Sequence, residues 1–285
     1  MRHWLLILLF LGLSPLRAFS QADAQRSFDH QHRAFNILLS KYVHWNSVAV
    51  ASSVDYAGLA AERAPLDAYT KSLSAVTAAQ FAAWTQPEQL AFLINAYNAF
   101  TLELILSKYP ELASIRDLGS WLTSPWKQRF FTLLGESRHL DDVEHGLIRG
   151  AKDYSDPRIH FAVNCASIGC PALRNEAFTA PALERQLEDQ TRRFLRDRSR
   201  NQADPVQRRL ALSNIFKWYG DDFARGFLGA ANLSAFLARY SDALGLDAAQ
   251  TADLRTGDWD IEYLDYDWRL NATPGRADQA SSRKP

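Results

Sequence analysis

The chain is organised around one stretch near its middle, residues 158–171, with the sequence RIHFAVNCASIGCP. An apolar run over residues 159–163 leads into a turn that contains both cysteines of the chain, Cys165 and Cys170. A glycine between the cysteines permits backbone conformations that its β-branched neighbour avoids, and a proline then redirects the chain. The stretch predicts a sharply shaped loop on a packed support, an arrangement that suits a functional site.

Three interpretations of the two cysteines remain open on spacing alone. The first is structural, as a disulfide or as two buried apolar thiols. The second makes Cys165 a nucleophile, with its pKa lowered by an imidazole or by backbone N–H groups. The third is a metal site of His145, His160, Cys165 and Cys170, although the spacing lacks a second matching pair and is a weak signal for a metal.

The first 20 residues predict a secretory signal peptide. Arg2 precedes an apolar run, residues 4–13, that is too short to span a bilayer, and small residues before Gln21 suit a signal peptidase. We therefore expect a periplasmic or secreted protein that has no stable membrane insertion once the signal is removed. Such a location is oxidising and permits a disulfide.

Length and composition predict one domain over residues 21–271, because no Pro/Ser/Gly-rich linker divides this range. Residues 272–285 are polar and weakly patterned, and we predict a disordered tail there. Lys plus Arg equals Asp plus Glu at 32 each, which argues against a nucleic-acid partner. The aromatic content predicts a core for which a disulfide is optional. We predict no cofactor.

A long buried helix is predicted from Pro87 to Lys108, because its middle is apolar nearly all round and a Tyr-Pro pair stops it. Asn95 and Asn98 interrupt the apolar run and lie on one face, three residues apart. A buried carboxamide without partners costs roughly 1–3 kcal/mol, so both must form hydrogen bonds. Those bonds either hold loop backbone or orient a catalytic imidazole or an oxyanion.

The region between this helix and the cysteines predicts a cleft wall, a hairpin and a short helix. Trp121 lies in a loop-like passage and is a candidate for the cleft wall. Residues 128–140 have hairpin spacing and turn residues. Asp141 and Glu144 fit a capping box for a short helix, which places His145 one turn inside it. Arg149 ends that helix as a brace or an anion anchor.

The rest of the chain predicts a helix over residues 179–197 and a late strand within residues 259–268, where acidic and apolar residues alternate. We interpret His30, His32 and His44 as surface or interface imidazoles. Together the elements predict an α+β fold, a predominantly helical single domain around a small antiparallel sheet.

Five segments of the chain resemble the family catalogued as domain of unknown function 547. These segments are AFLINAYNA (91–99), VEHGLIR (143–149), DPRIHFAVNCASIGCP (156–171), FKWY (216–219) and YDWRLN (266–271). Arg269 stands where a serine is expected in the last of these motifs. The resemblance implies a shared fold and a shared site, and it implies no particular reaction.

The residues permit a cysteine-dependent hydrolase or acyl transferase. Cys165 is the candidate nucleophile, and His145 is preferred as base because His160 would point away from Cys165 in either a strand or a helix. Asn95, Asn98 or Glu144 would orient the base. The N–H groups of residues 166–169 would stabilise an oxyanion. The substrate would be a small molecule or a peptide.

A binding module without enzymatic activity is the alternative. In this hypothesis the two cysteines form a disulfide, and tryptophans, namely Trp121, Trp126 and Trp218, line a groove. The candidate binding residues under either hypothesis are Ser167, Arg149, His160 and Trp121. We expect the site to form where the long helix, the His145 helix and the Cys165 loop meet.

Overall fold

The computed structural model describes residues 28–120, 123–150 and 154–274. The predicted signal peptide, Trp121 and residues 275–285 of the predicted tail lie outside these ranges. At the C-terminal end the backbone N–H of Thr273 donates to the carbonyl of Val54 at 2.9 Å. Paired backbone therefore continues two residues past the domain boundary that we predicted at Asn271.

The described residues are mainly helical. The α-helices are α1 (Arg33–Tyr42), α2 (Tyr56–Ala61), α3 (Ala64–Ser74), α4 (Ala78–Ala82), α5 (Gln86–Leu106), α6 (Leu183–Arg196), α7 (Ile215–Trp218), α8 (Gly220–Phe223), α9 (Leu233–Ala238), α10 (Ser241–Leu244) and α11 (Ala248–Thr256). Short 3₁₀ helices cover Ile115–Leu118, Pro125–Lys127, Pro157–Phe161, Ala180–Ala182 and Phe227–Gly229, and Asp142–Ile148 forms a π-helix.

In the described part of the chain, seven strands form three small sheets. The strands are β1 (Val43–Trp45), β2 (Ser52–Val54), β3 (Phe131–Leu133), β4 (Glu136–Arg138), β5 (Gln202–Asp204), β6 (Arg209–Ser213) and β7 (Asp260–Leu264). The pairs β1–β2, β3–β4 and β5–β6 are antiparallel, and β7 pairs with β6 in parallel. The parallel pairing is possible because five α-helices and one 3₁₀ helix lie between β6 and β7 and return the chain to the same end. The predicted α+β class is confirmed, as are the hairpin and the late strand.

The predicted long helix is α5. A capping box between Thr85 and Glu88 begins it, with a proline in its first turn. Among the described residues it is the one helix that has the length and apolar composition of a membrane span. Of its most apolar 18-residue segment, 89% is buried inside the protein. Its apolar circumference is therefore explained by a central position in the core, where helices pack on several sides.

Two hydrophobic clusters make up the core. The larger one surrounds α5 and includes α1, α3 and the β3–β4 hairpin. The smaller one is built from α6, β6 and the helices that follow β6. The 3₁₀ helix Pro157–Phe161 lies between them, because Ile159 belongs to the larger cluster and Phe161 to the smaller one. The stretch of residues 158–171 thus joins the two halves of the core.

Candidate functional site

A pocket of about 290 Å³ opens where α5, the π-helix Asp142–Ile148 and the cysteine loop, residues 165–170, meet. Six of the fifteen lining residues are tyrosines or tryptophans, and the others include two carboxylates, two imidazoles and both cysteines. The lining residues are Tyr97, Trp126, Asp141, Glu144, His145, His160, Val163, Cys165, Cys170, Pro171, Ile215, Trp218, Tyr219, Tyr266 and Trp268. The structure therefore brings residues of α5, the π-helix and the cysteine loop to one cavity.

The cysteine loop closes on itself through a disulfide, with the sulfurs of Cys165 and Cys170 2.11 Å apart. The backbone N–H of Cys165 points to the sulfur of Cys170 at 2.9 Å. Ala166 has a positive φ of 61°, a conformation that costs free energy for a residue with a side chain. The Tyr266 hydroxyl lies 3.2 Å from each sulfur. Of the three cysteine interpretations, the disulfide is the one this geometry contains.

Gly169 is required by the close approach of Tyr266. A Cβ at Gly169 would lie 3.0 Å from three carbon atoms of the Tyr266 ring, which is closer than ordinary van der Waals contact. The ring sits directly on the loop and is held there by two backbone hydrogen bonds, from Ile168 to Arg269 and from Gly169 to Asp267. The last motif of the chain therefore covers the disulfide and fixes its surroundings.

The side chains of Asn95 and Asn98 form hydrogen bonds with loop backbone and do not reach Cys165 or His145, the predicted nucleophile and base. The amide of Asn95 donates to the Phe178 carbonyl at 2.7 Å, and its oxygen accepts from the Phe178 N–H at 3.0 Å. The amide of Asn98 likewise donates to Ala162 at 3.0 Å and accepts from Asn164 at 2.9 Å. These four bonds dock the loops on α5, which is the first of the two roles that the sequence left open for these amides.

The segment that carries Glu144 and His145 is a π-helix, in which Arg149 N–H donates to the Glu144 carbonyl at 2.9 Å. The predicted capping box is wrong, since the side chain of Asp141 caps no N–H and the Glu144 carboxylate faces the pocket. Single π-helical turns insert one extra residue and are frequent at functional sites because they re-aim side chains.

Glu144 is buried and is held by tyrosine hydroxyls. Tyr219 donates to the carboxylate at 2.7 Å, and Tyr97 forms a second hydrogen bond with it. Burial raises the pKa of Tyr97 and of Tyr219, and the charge of Glu144 adds to that effect. Both hydroxyls therefore keep their protons and act as donors to Glu144.

His145 lies at the open side of the pocket. Its Nδ1 is 2.9 Å from the Arg149 guanidinium, and its Nε2 is 3.9 Å from the Asp141 carboxylate. No hydrogen bond joins His145 to Cys165 within the described chain, although both line the cavity. The predicted nucleophile and base thus share a pocket without direct contact.

His160 forms a buried dyad with Asp222, a residue that sequence reasoning missed. Its Nε2 is 2.7 Å from the Asp222 carboxylate, which also accepts from Arg149 at 2.6 Å. Burial alone would raise the pKa of Asp222, but the hydrogen bonds with His160 and Arg149 outweigh it and hold that pKa below its usual range. Burial lowers the pKa of His160. A neutral imidazole therefore donates from Nε2 to a carboxylate, and the His160 ring stacks on Tyr219 at 3.9 Å.

The outer wall of the pocket is a cluster of four aromatic rings. Tyr266 packs against Trp218 and Trp268, with ring centroids 4.8 and 4.5 Å apart. Trp268 also contacts Trp126 at 5.8 Å. Trp218 is 46% exposed, so the cluster continues from the disulfide to the protein surface. These rings give the pocket an apolar entrance.

The remaining predicted binding residues have other positions. Ser167 is buried under the loop, with its hydroxyl 3.4 Å from the Cys165 carbonyl, and it does not line the pocket. Arg149 lies over the ring of Tyr219 at 4.9 Å and pairs with Asp222. Trp121 lies outside the described residues. No group of three or more His, Cys, Asp or Glu side chains is arranged to hold a metal in the described part of the chain.

The middle of the chain matches the model of a known protein family. Residues 81–195 match the sequence model of the family described as Protein of unknown function, DUF547. This match supports the DUF547 family for the part of the chain that supplies ten of the fifteen lining residues, among them Glu144, His160 and both cysteines. No curated protein and no solved structure matches the chain significantly.

All five segments that carry the DUF547 resemblance contribute side chains to the pocket. They supply, in order, Tyr97; Glu144 and His145; His160 with both cysteines; Trp218 and Tyr219; and Tyr266 and Trp268. The sequence signal for the missed residues Tyr219 and Tyr266 was therefore present in the motifs. Asp222 follows the fourth motif closely, but only the fold shows that it faces His160.

Proposed function

We propose that this protein binds a small organic molecule in the aromatic pocket. The observation that carries the proposal is the convergence of the five motif segments, which are spread from Tyr97 to Trp268, on one cavity. A cavity of about 290 Å³ is near the lower end for small-molecule sites, roughly 300–1,000 Å³. Mostly apolar walls with a few buried polar groups are what such sites offer a ligand, because the apolar surface supplies affinity and the polar groups fix orientation.

The side chains that line the pocket are held in fixed positions, which supports the same proposal. The disulfide, the His160–Asp222 dyad and the tyrosine pair on Glu144 each fix a lining side chain through at least one short contact. Such preorganisation reduces the entropy lost on binding. The Asn98 bonds to the loop extend this support into α5.

Replacing Trp218 with alanine is expected to weaken ligand binding by at least about 30-fold, because an aromatic anchor of a pocket contributes roughly 2 kcal/mol or more. The probes are p-cresol, benzyltrimethylammonium and benzoate, which share one ring and differ in charge. Tryptophan fluorescence and thermal unfolding of the wild type are expected to change with at least one of them.

The matched control is Tyr263→Ala, which removes an aromatic side chain of comparable exposure from β7, away from the pocket. This variant is expected to bind as the wild type does. If no probe binds the wild type, or if the Trp218 variant binds equally well, the pocket is not a small-molecule site.

A second candidate function is a cysteine-dependent hydrolase or acyl transferase that requires reduction. The placement of Cys165 and His145 on the wall of one cavity favours it. A dithiol would break the disulfide and become oxidised itself, which leaves two thiols. Cys165 would then give its proton to His145 and attack an acyl carbon, and the leaving group would take that proton.

After reduction, Cys165 is expected to react with iodoacetamide faster than the more buried Cys170, with an apparent pKa below the ordinary value of about 8.5. Alkylation between pH 6 and 9, read by mass spectrometry, measures this. His145→Ala is expected to slow labelling at neutral pH, whereas His44→Ala, at an exposed histidine of β1, is not. Equal labelling in both variants would exclude His145 as the base.

We also propose that the protein is exported to the periplasm or secreted. The disulfide supports this location, because such bonds persist mainly in oxidising compartments. The N-terminal segment that would direct export has a basic start and a short apolar run.

A further inference from the structure

We propose that the pocket selects a small organic ammonium ion, and this inference rests on the proposed binding function. The charged side chains that line the pocket are Asp141 and Glu144, and neither a lysine nor an arginine is among the described lining residues. The whole chain, by contrast, has as many basic as acidic residues. The cavity is therefore acidic within a protein of zero formal net charge.

Glu144 is a buried carboxylate that forms no ion pair with another described residue. Glu144 is 6% exposed, and no side-chain nitrogen of a described Lys, Arg or His lies within 4.0 Å of its carboxylate oxygens. Its partners are the neutral hydroxyls of Tyr219 and Tyr97. Buried charges in proteins are normally paired, because an unpaired one is costly to desolvate. A cation in the pocket would supply the missing charge.

The nearest arginine is committed elsewhere. Arg149 is near enough for the charge of Glu144 to act on it, but its hydrogen bonds go to Asp222 at 2.6 Å and to His145 at 2.9 Å. Asp141, the second lining carboxylate, is 3.9 Å from the His145 ring and forms no closer ion pair in the described chain. The two acidic groups are therefore both open to a ligand from the cavity side.

The aromatic wall fits the same ligand. A cation within about 6 Å of an aromatic ring centre is attracted by the electron-rich face, and desolvated cases contribute about 2 kcal/mol. Two rings of the pocket already have a guanidinium near them, since Arg116 lies 5.3 Å from Trp268 and Arg149 lies 4.9 Å from Tyr219. A ligand cation would therefore use the other four aromatic lining residues, which are Tyr97, Trp126, Trp218 and Tyr266. Several aromatic faces together with a carboxylate form the arrangement that binds alkylated ammonium groups.

The size of the pocket favours a free solute of few atoms. About 290 Å³ holds an ammonium head group with a short substituent, and a larger molecule would leave much of its surface in water. The half-exposed Trp218 at the rim leaves the entrance open to a diffusing ligand.

Choline and 3,3-dimethyl-1-butanol provide the test, because they have nearly the same shape and differ in charge. Titration calorimetry with the full-length protein is expected to show at least about 30-fold tighter binding of choline, the ratio that corresponds to about 2 kcal/mol. Equal affinities would overturn the cation inference and would leave the pocket function intact. If p-cresol binds and choline does not, the inference also fails.

Glu144→Gln keeps the size and the acceptor oxygen of the side chain and removes its charge. This variant is expected to lose at least about 10-fold in choline affinity while its affinity for 3,3-dimethyl-1-butanol stays unchanged. Asp141→Asn provides a second, more exposed position if Glu144→Gln does not fold. The matched control is Glu111→Gln, an exposed glutamate outside the pocket, which is expected to bind choline as the wild type does.

Vesicles separate a free solute from a lipid head group. The protein is mixed with phosphatidylcholine vesicles and with phosphatidylglycerol vesicles, and the bound fraction is measured by sedimentation. Binding to free choline without sedimentation supports the proposal. Sedimentation with phosphatidylcholine in the absence of choline binding would overturn it in favour of a membrane surface.

Discussion

Replacing Phe161 with alanine is expected to lower the free energy of unfolding by about 4 kcal/mol, because the truncation of a fully buried phenylalanine leaves a cavity that the core fills incompletely. The ring has no exposed surface. Its centroid lies 5.0 Å from that of Phe194, 5.8 Å from Phe216 and 5.7 Å from Phe223. The substitution removes the aromatic contacts that join residues 158–171 to the smaller hydrophobic cluster.

Urea unfolding followed by circular dichroism measures this loss. For a chain of this size, a change of 4 kcal/mol corresponds to a fall in melting temperature of about 8–16 °C. Phe130→Ala, at a residue that is 37% exposed, is the control and is expected to lose roughly 1 kcal/mol or less. A loss at Phe161 no larger than the control would show that the two clusters do not depend on this ring.

The importance of Phe161 shows where the sequence pattern was ambiguous. The apolar run over residues 159–163 is compatible with a strand, in which Ile159 and Phe161 would lie on one face. In the observed 3₁₀ helix successive residues turn by about 120°, so these two side chains diverge and enter different clusters. Periodicity over five residues cannot separate the two cases.

Elements with strong local signals were predicted well. The long helix has a proline in its first turn, a capping box and a Tyr-Pro stop, and the structure confirms it as α5. The helix over residues 179–197 contains α6, and the hairpin has its turn at Gly135, where φ is +82°. Each of these signals acts within a few residues, so the sequence alone contains it.

The candidate site depended on contacts between distant segments, which limits what one sequence predicts. Glu144 looked like a cap because Asp141 precedes it by three residues, yet its partner is Tyr219, 75 residues away. Asp222 reaches His160 across 62 residues. Which polar groups meet in the pocket is decided by how α5, the π-helix and the C-terminal motif pack, and no local pattern records that packing.

His32 was predicted to be a surface or interface residue, and the structure corrects this. The residue is 2% exposed, its Nδ1 lies 2.7 Å from the Tyr69 hydroxyl, and its ring contacts Phe28 with centroids 5.1 Å apart. Burial lowers the pKa of His32 from its ordinary value of 6.5 to about 4. The buried, neutral ring therefore accepts a hydrogen bond from the Tyr69 hydroxyl, and protonation would place a charge in the core that Asp29 offsets only in part.

Stability is expected to fall by about 3 kcal/mol between pH 6.5 and pH 4 because of His32 alone. In this window the unfolded state binds a proton that the folded state does not, so acid favours unfolding; below pH 4 both states are protonated and the loss from this residue stops. His32→Asn tests this, since asparagine tolerates the positive φ of 47° at this position and does not titrate there. Urea unfolding at pH 7 and pH 4 measures how much unfolding free energy each protein loses in acid. This loss is expected to be about 3 kcal/mol smaller in the variant. Carboxylates that titrate in the same window are common to both proteins, so their effect cancels in the comparison. An identical acid loss in the two proteins would mean that His32 is protonated in the folded state, and the ring would then have to be open to water.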